Sequence, residues 1–238
     1  MPDYRNPQEA SVQGVNLNWQ ADFWNREGPG KEYHFPVDFE QLDRLLEANR
    51  SARILEFGCG YGRVAVALHR RGYAVEGVDR SAPMIELARV RCSSLKPPPS
   101  FRVITSPRLP HQDEAFDAAL LVTVLTCIPT DEGQRAVIRE LFRVLRPGGI
   151  LCIGDLSLQD DPRNIERYEA SRDKYGIYGV FELPEGAVLR HHDLAWIDTL
   201  TSDFERVAIA EVQVITMNGN QAKGFQWYGR KQLSKEYS

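Results

Sequence analysis

The chain has 238 residues, 42% hydrophobic and 26% charged, an ordinary balance for one globular domain with modest additions. Its 29 basic and 33 acidic side chains leave a formal charge of −4, which gives no support to a nucleic-acid partner held by bulk electrostatics. The longest apolar run, 118–128, is too short to span a bilayer, and the polar start at 1–10 does not read as a signal peptide. Cys59, Cys92, Cys127 and Cys152 form no CxxC pair and read as reduced thiols, which points to a cytoplasmic protein.

The first 15 or so residues are polar and read as a loose tail. An aromatic stretch follows, with Trp19, Phe23, Trp24, Tyr33, His34 and Phe35 around Gly28-Pro29-Gly30. Asp38, with Gln41 three places on, predicts a capped helix through Leu42, Leu45 and Leu46, so 1–50 is expected to be a tail and helical cap. Strands and helices then alternate. Strands are predicted at 52–57, 73–78, 101–104, 116–122 and 150–154. Between them lie helices at 64–71, closed by Gly72, from Ser81 to about Cys92, and from about Asp131 to Leu145, stopped by Pro147-Gly148-Gly149. Residues 95–100, with three prolines, read as a connector. Such alternation predicts an α/β fold with a parallel sheet covered on both faces.

Beyond 155 the pattern breaks. Residues 161–175 look helical, and 177–183 and 187–191 flank Pro184-Glu185-Gly186 as a small hairpin, so 156–192 reads as an insertion in a domain spanning 51–238. Asp193 caps a helix to about Leu200, and 204–217 and 223–230 flank the turn Asn218-Gly219-Asn220.

The segment that carries chemistry is Glu56-Phe57-Gly58-Cys59-Gly60-Tyr61-Gly62-Arg63. Glycines at alternate positions between a strand and a helix allow sharp bending and close approach to a ligand. Asp79 follows 21 residues after Gly58 at the end of the next strand, where an acid can hold two ribose hydroxyls. Together they read as a nucleoside-cofactor site. A dinucleotide fingerprint needs glycine where Arg63 stands.

G-x-G-x-G after an acid resembles the glycine loop of class I S-adenosylmethionine-dependent methyltransferases, of the domain types 11 and 25. Val78-Asp79-Arg80-Ser81-Ala82-Pro83-Met84 is similar to that family's second motif, and Leu109-Pro110 with Phe116-Asp117 to the stretch around its fourth strand. Arg143-Val144-Leu145-Arg146-Pro147-Gly148-Gly149 is similar to the turn before its fifth strand. The resemblance covers roughly 52–155 and implies a Rossmann-like, doubly wound, seven-stranded sheet, mostly parallel with an antiparallel last strand, under an N-terminal helical lid.

It also implies S-adenosyl-L-methionine as cofactor, S-adenosyl-L-homocysteine as its product, and no metal. Carried over by position, Glu56 braces the loop, Gly58, Cys59 and Gly60 approach the methionine and ribose, and Asp79 binds the ribose diol. Arg80 and Met84 flank adenine, Thr105 and Ser106 meet its edge, and Thr123 contacts the methionine amine. Many relatives carry an aspartate at Thr105 and a His-His pair where this chain has Thr126-Cys127, so a histidine mechanism at that pair is absent.

The acceptor is expected above the ends of the fourth and fifth strands, under the aromatic segment and the insertion. Trp24, Tyr33, Asp155 and Tyr178 are candidate acceptor contacts, and His34 and His192 candidate bases. With Phe35, Tyr175 and Trp196 also nearby in sequence, these aromatics suggest a planar or apolar small molecule, methylated on O, N, S or C. His191 and His192 lack the spacing of a metal pair.

Two other classes stay open. A tRNA or protein methyltransferase would show a basic docking face or an Asn/Asp-Pro-Pro-Tyr signature, which Pro97-Pro98-Pro99 is not. A nicotinamide-dependent oxidoreductase or a non-catalytic nucleotide-binding module is more remote. Neither a nucleic-acid nor a membrane partner is expected, and the sequence leaves the oligomeric state open.

Overall fold

In the computed structural model of the chain, residues 11–12, 15–16, 18–30 and 33–232 are described. The polar start at 1–10, read above as tail and not as leader, lies outside them, and so does the Trp19 side chain. A short ladder of β1 (Ser11–Val12) and β2 (Val15–Asn16) precedes α1 (Asn18–Glu27), which runs into a 3-10 turn at Gly28–Gly30. Helix α2 (Phe39–Leu45) starts where Asp38 accepts the Gln41 N–H at 2.8 Å, the cap its sequence predicts.

The alternating part follows as β3 (Arg53–Phe57), α3 (Arg63–Arg70), β4 (Ala74–Asp79), α4 (Ala82–Cys92), β5 (Ser100–Val103), β6 (Phe116–Val122), α5 (Asp131–Val144) and β7 (Leu145–Leu156). The insertion holds α6 (Pro162–Tyr175) and a two-stranded sheet of β8 (Val180–Glu182) and β9 (Val188–Arg190). Helix α7 (Leu194–Leu200) leads to the hairpin of β10 (Phe204–Ile215) and β11 (Gln221–Lys231).

The large sheet has seven strands in the order β5-β4-β3-β6-β7-β11-β10. Neighbours from β5 to β7 are parallel, while β11 runs antiparallel between β7 and β10. Strand β7 is longer than its apolar run suggests. Leu145 already pairs with Phe116, and the register then slips so that Ile150 pairs with Ala118, which makes Pro147-Gly148-Gly149 a bulge inside the strand.

Successive residues of the central strands feed opposite cores. Leu55, Ala119, Leu121, Leu151 and Ile153 pack with Leu141 and Val144 of α5 and Ile197 and Leu200 of α7. Ile54, Ala118, Leu120, Ile150 and Cys152 pack with Leu42 of α2, Leu68 of α3, and Ile85 and Ala88 of α4. That is why these strands read as unbroken apolar runs.

The connector after β5 is fixed by charge. Glu140 accepts the Leu109 N–H at 2.7 Å, and Arg143 donates to the carbonyls of His111 and Leu109. The Leu-Pro stretch and the arginine of the later turn motif therefore belong to one tether.

Helix α1 and the insertion, far apart in sequence, form a single lid. The Gln20 amide pairs with both the N–H and the carbonyl of Val188 on β9, as an added strand would. Phe23 joins Tyr168, Phe181, Ala187 and Leu189 in one cluster, against which Trp24 and Cys127 pack. Among the described residues no helix is long and apolar enough to cross a membrane.

Candidate active site

Three glycines shape the turn after β3, each for its own reason. Gly58 has φ +75°, and a Cβ there would lie 2.4 Å from Val124 Cγ2. Gly62, at φ +79°, caps α3 in the left-handed region with α4 close by, its Cβ position 3.1 Å from Ala88 Cβ. Gly60, at φ +51°, has only the Met84 methyl within 4 Å of that position, so its bare face forms an open cradle.

The turn is pinned to β4. The Gly58 and Cys59 N–H groups donate to the Val78 carbonyl at 2.8 and 3.0 Å. Asp79 Oδ2 accepts the Gly60 N–H and Oδ1 the Ser81 N–H, each at 2.8 Å. Burial pushes the Asp79 carboxyl up, opposed by these backbone donors. Each oxygen keeps lone pairs for a ligand's hydroxyls.

Glu56 is buried on β3, and its Oε2 has no hydrogen-bond partner. Burial pushes its pKa up to about 8, with Arg63 and the Ala65 backbone pulling the other way. Met84 lies between the turn and the lid, its Sδ 3.2 Å from where a Gly28 Cβ would stand. Arg80 and Thr105 are exposed, and Ser106 accepts the Arg108 N–H at 3.2 Å in a turn. The Ile104 N–H donates to the Asp79 carbonyl at 2.9 Å, which brings the start of that loop beside Asp79.

Across the sheet, β6 is followed by Thr123, a β-branched residue held at φ +55°. Such strain persists only where the surroundings enforce it. Here the Thr123 N–H donates to the Gly154 carbonyl and its hydroxyl to the Val122 carbonyl, both at 2.7 Å. Asp155, fully buried at the end of β7, accepts the Leu156 N–H at 2.7 Å and the Thr126 N–H at 3.1 Å. Burial pushes its pKa up to about 7 against those donors. The thiol of Cys127 is pushed up by burial and by Asp155 and Asp79, and it donates to the Thr123 carbonyl at 3.6 Å.

Tyr33 and Trp24 come from the N-terminal segment, and the Tyr33 hydroxyl and Trp24 Nε1 are buried with no hydrogen-bond partner. Burial, then Asp155, pushes the Tyr33 phenol well above its ordinary range.

The other acceptor-side expectations fare differently. Tyr178 is exposed and stacks edge-on against Tyr168 at 5.3 Å, on the insertion rather than beside Asp155. His34 is exposed between Tyr33 and Phe35. The assignment of His192 as a base is corrected by its surroundings. It is buried, its Nδ1 faces the Leu156 carbonyl at 3.3 Å, and its Nε2 meets the Gln134 amide nitrogen at 2.9 Å. A ring that accepts from an amide N–H at Nε2 carries its proton on Nδ1, and burial drives its pKa down to about 3. His192 stands behind Asp155, with Nδ1 3.9 Å from Oδ1, as a support.

Sequence reasoning missed the strap over the site. Tyr61 donates to the Tyr33 carbonyl at 3.3 Å and Arg63 to the Phe35 carbonyl at 2.8 Å. The Phe35 ring fills a slot that a Cβ on Gly154 or Gly224 would invade, at 2.7 and 3.0 Å. Mid-strand glycines on β7 and β11 were the available signal. Among the described residues no group of three or more His, Cys, Asp or Glu side chains could hold a metal ion.

The open cradle at Gly60, the spare lone pairs of Asp79 and the unpaired Glu56 Oε2 fit a nucleoside that carries an amine. Residues 54–149, which span this turn, Asp79 and Thr123, match the methyltransferase domain family. Residues 54–149 belong to that methyltransferase domain family. The chain is 38% identical over 120 residues to Methyltransferase GfsG of Streptomyces halstedii, covering 49% of this chain and 42% of that protein. It is 32% identical over 162 residues to a demethylmenaquinone methyltransferase of Tropheryma whipplei, covering 68% of this chain and 62% of that protein. The chain thus spans about half the length of the curated relatives it matches.

The crystal structure of a SAM-dependent methyltransferase from Methanosarcina mazei has the same fold. Its TM-score is 0.77 at 24% identity, covering 84% of this chain and 100% of that one. In this chain the family match stops at 149, so α1, the strap, Asp155 and the insertion are features outside it.

Proposed function

We propose that this methyltransferase moves the methyl group of S-adenosylmethionine to a nucleophilic atom of a small molecule by in-line displacement. The observation that carries the reading is the strand-end turn tied to both oxygens of Asp79, with an open glycine cradle on one side and lid donors on the other. When bound, the cofactor's sulfonium supplies an electrophilic methyl. The protein supplies position. Asp79 takes the ribose hydroxyls, Gly58, Cys59 and Gly60 admit the chain close to the backbone, Met84 lies against the base, and Thr123 meets the amine end. The lid of α1 and the insertion excludes water and orients the acceptor, and such placement is worth up to about 7–11 kcal/mol of barrier.

Of the two histidines, His34 alone keeps an exposed ring, so His34→Ala is the substitution that tests base catalysis. The small molecule named for the demethylmenaquinone methyltransferase and the charge of −4 support a small acceptor over a nucleic acid. Calorimetry with S-adenosylmethionine, S-adenosylhomocysteine and NAD is the deciding measurement. We expect the first two to bind and NAD not to. Binding of NAD alone would replace this reading with the oxidoreductase one.

A further inference from the structure

Among the buried donors that the fold leaves without a partner are the Trp24 indole N–H and the Tyr33 hydroxyl. Leaving a buried donor unpaired is costly, and native proteins do so mainly where a ligand or water completes the bond. Both donors lie close to Cys127. Trp24 and Cys127 both pack against the Phe23–Tyr168 cluster, Tyr33 packs with Val122 against the Phe35–Leu156 cluster, and the Cys127 thiol donates to the adjoining Thr123 carbonyl at 3.6 Å. An indole N–H can only donate, and a phenol kept protonated also donates, so the missing partner must carry lone pairs.

Charge narrows the choice. An ammonium group has no lone pair to offer. An anion would sit in the field of Asp155 and Asp79, which reaches this spot through Cys127. Of the nearby cations, Arg63 is taken up by the Phe35 carbonyl, and Arg167, whose buried Nε has no partner, lies over the Phe181 ring, 3.5 Å from its centroid. The surroundings of Trp24 are apolar, since Leu158 and Leu183 pack against the same cluster.

Building on the methyltransferase reading, we propose that Trp24 and Tyr33 form the polar subsite for the methyl acceptor. That acceptor is an uncharged planar molecule presenting oxygen lone pairs.

The test uses protein saturated with S-adenosylhomocysteine and four probes of one shape: 2-naphthol, naphthalene, 2-naphthoate and 2-naphthylmethylammonium. Calorimetry should rank 2-naphthol first, with each ion at least about tenfold weaker. Tyr33→Phe and Trp24→Phe should each weaken 2-naphthol by about five- to tenfold. Naphthalene serves as the packing control. A change in the ratio of 2-naphthol to naphthalene affinity reports the lost hydrogen bond, whereas an equal loss for both reports disturbed packing and overturns the assignment. Equal or tighter binding of either ion, or no binding of 2-naphthol at millimolar concentration, also overturns it. Failure of S-adenosylhomocysteine to bind would count against the methyltransferase reading instead.

Discussion

His192 shows how a residue's chemistry follows from its neighbours. Its folded pKa is lowered to about 3 from an ordinary 6.5, so the folded state refuses a proton that the unfolded chain accepts between those values. The stability it contributes is therefore present above about pH 6.5 and is lost as pH falls towards 3. Asp155 has the opposite sign. Its pKa is raised to about 7, so its contribution is full below the unfolded value and is lost as pH rises through 7. His192→Gln should remove one histidine's share of the acid sensitivity, about 1.4 kcal/mol per pH unit in that window. His191, also pushed well down by burial, keeps its own share. Urea unfolding at about pH 7 and about pH 5 checks this, because the stability gap between wild type and variant should narrow on acidification. A gap that stays constant would mean the ring takes up its proton in the fold as readily as in the unfolded chain. The adjacent pair His191-His192 reads the same in sequence whether solvated or buried, which is why this role was not legible there.

At the scale of elements, the caps and the glycine turn were readable because each depends on neighbours in sequence. Asp38, Ser81 and Asp193 all cap the helices expected of them. The strap was not readable, because its anchor is a ring held by glycines on two later strands. Gly154→Ala should push Phe35 out of its slot and cost about 1–3 kcal/mol. Adding Phe35→Leu should recover part of that loss, because a smaller side chain accommodates the new methyl. The urea midpoints of the two single variants and the double variant measure the coupling. Strictly additive effects would show that Phe35 and Gly154 do not meet in solution.

For the whole molecule, the alternation of strands and helices made the doubly wound sheet legible, and the closing hairpin showed where its antiparallel strand lies. What stayed hidden is that the lid is assembled from two segments, joined through Gln20 and Val188. Glycine turn, Asp79 and Gly28-backed Met84 belong to one site, so a ligand there should hold the entire fold. S-adenosylhomocysteine at 100 times its dissociation constant should add about 2.7 kcal/mol, seen as a thermal midpoint several degrees higher. NAD at the same concentration should leave the midpoint where it was.

The seating of β11 has a bearing on how the protein is made. Gln226 accepts the Asp38 N–H at 2.7 Å, Tyr228 donates to the Asp38 carbonyl at 3.0 Å, and Gly224 forms half of the Phe35 slot. A ribosome delivers these three residues long after residues 33–38, whose berth does not exist until then. The cofactor turn can thus form on the nascent chain while the entrance above it stays unlatched, and closure of the catalytic chamber becomes a late, long-range event in biogenesis.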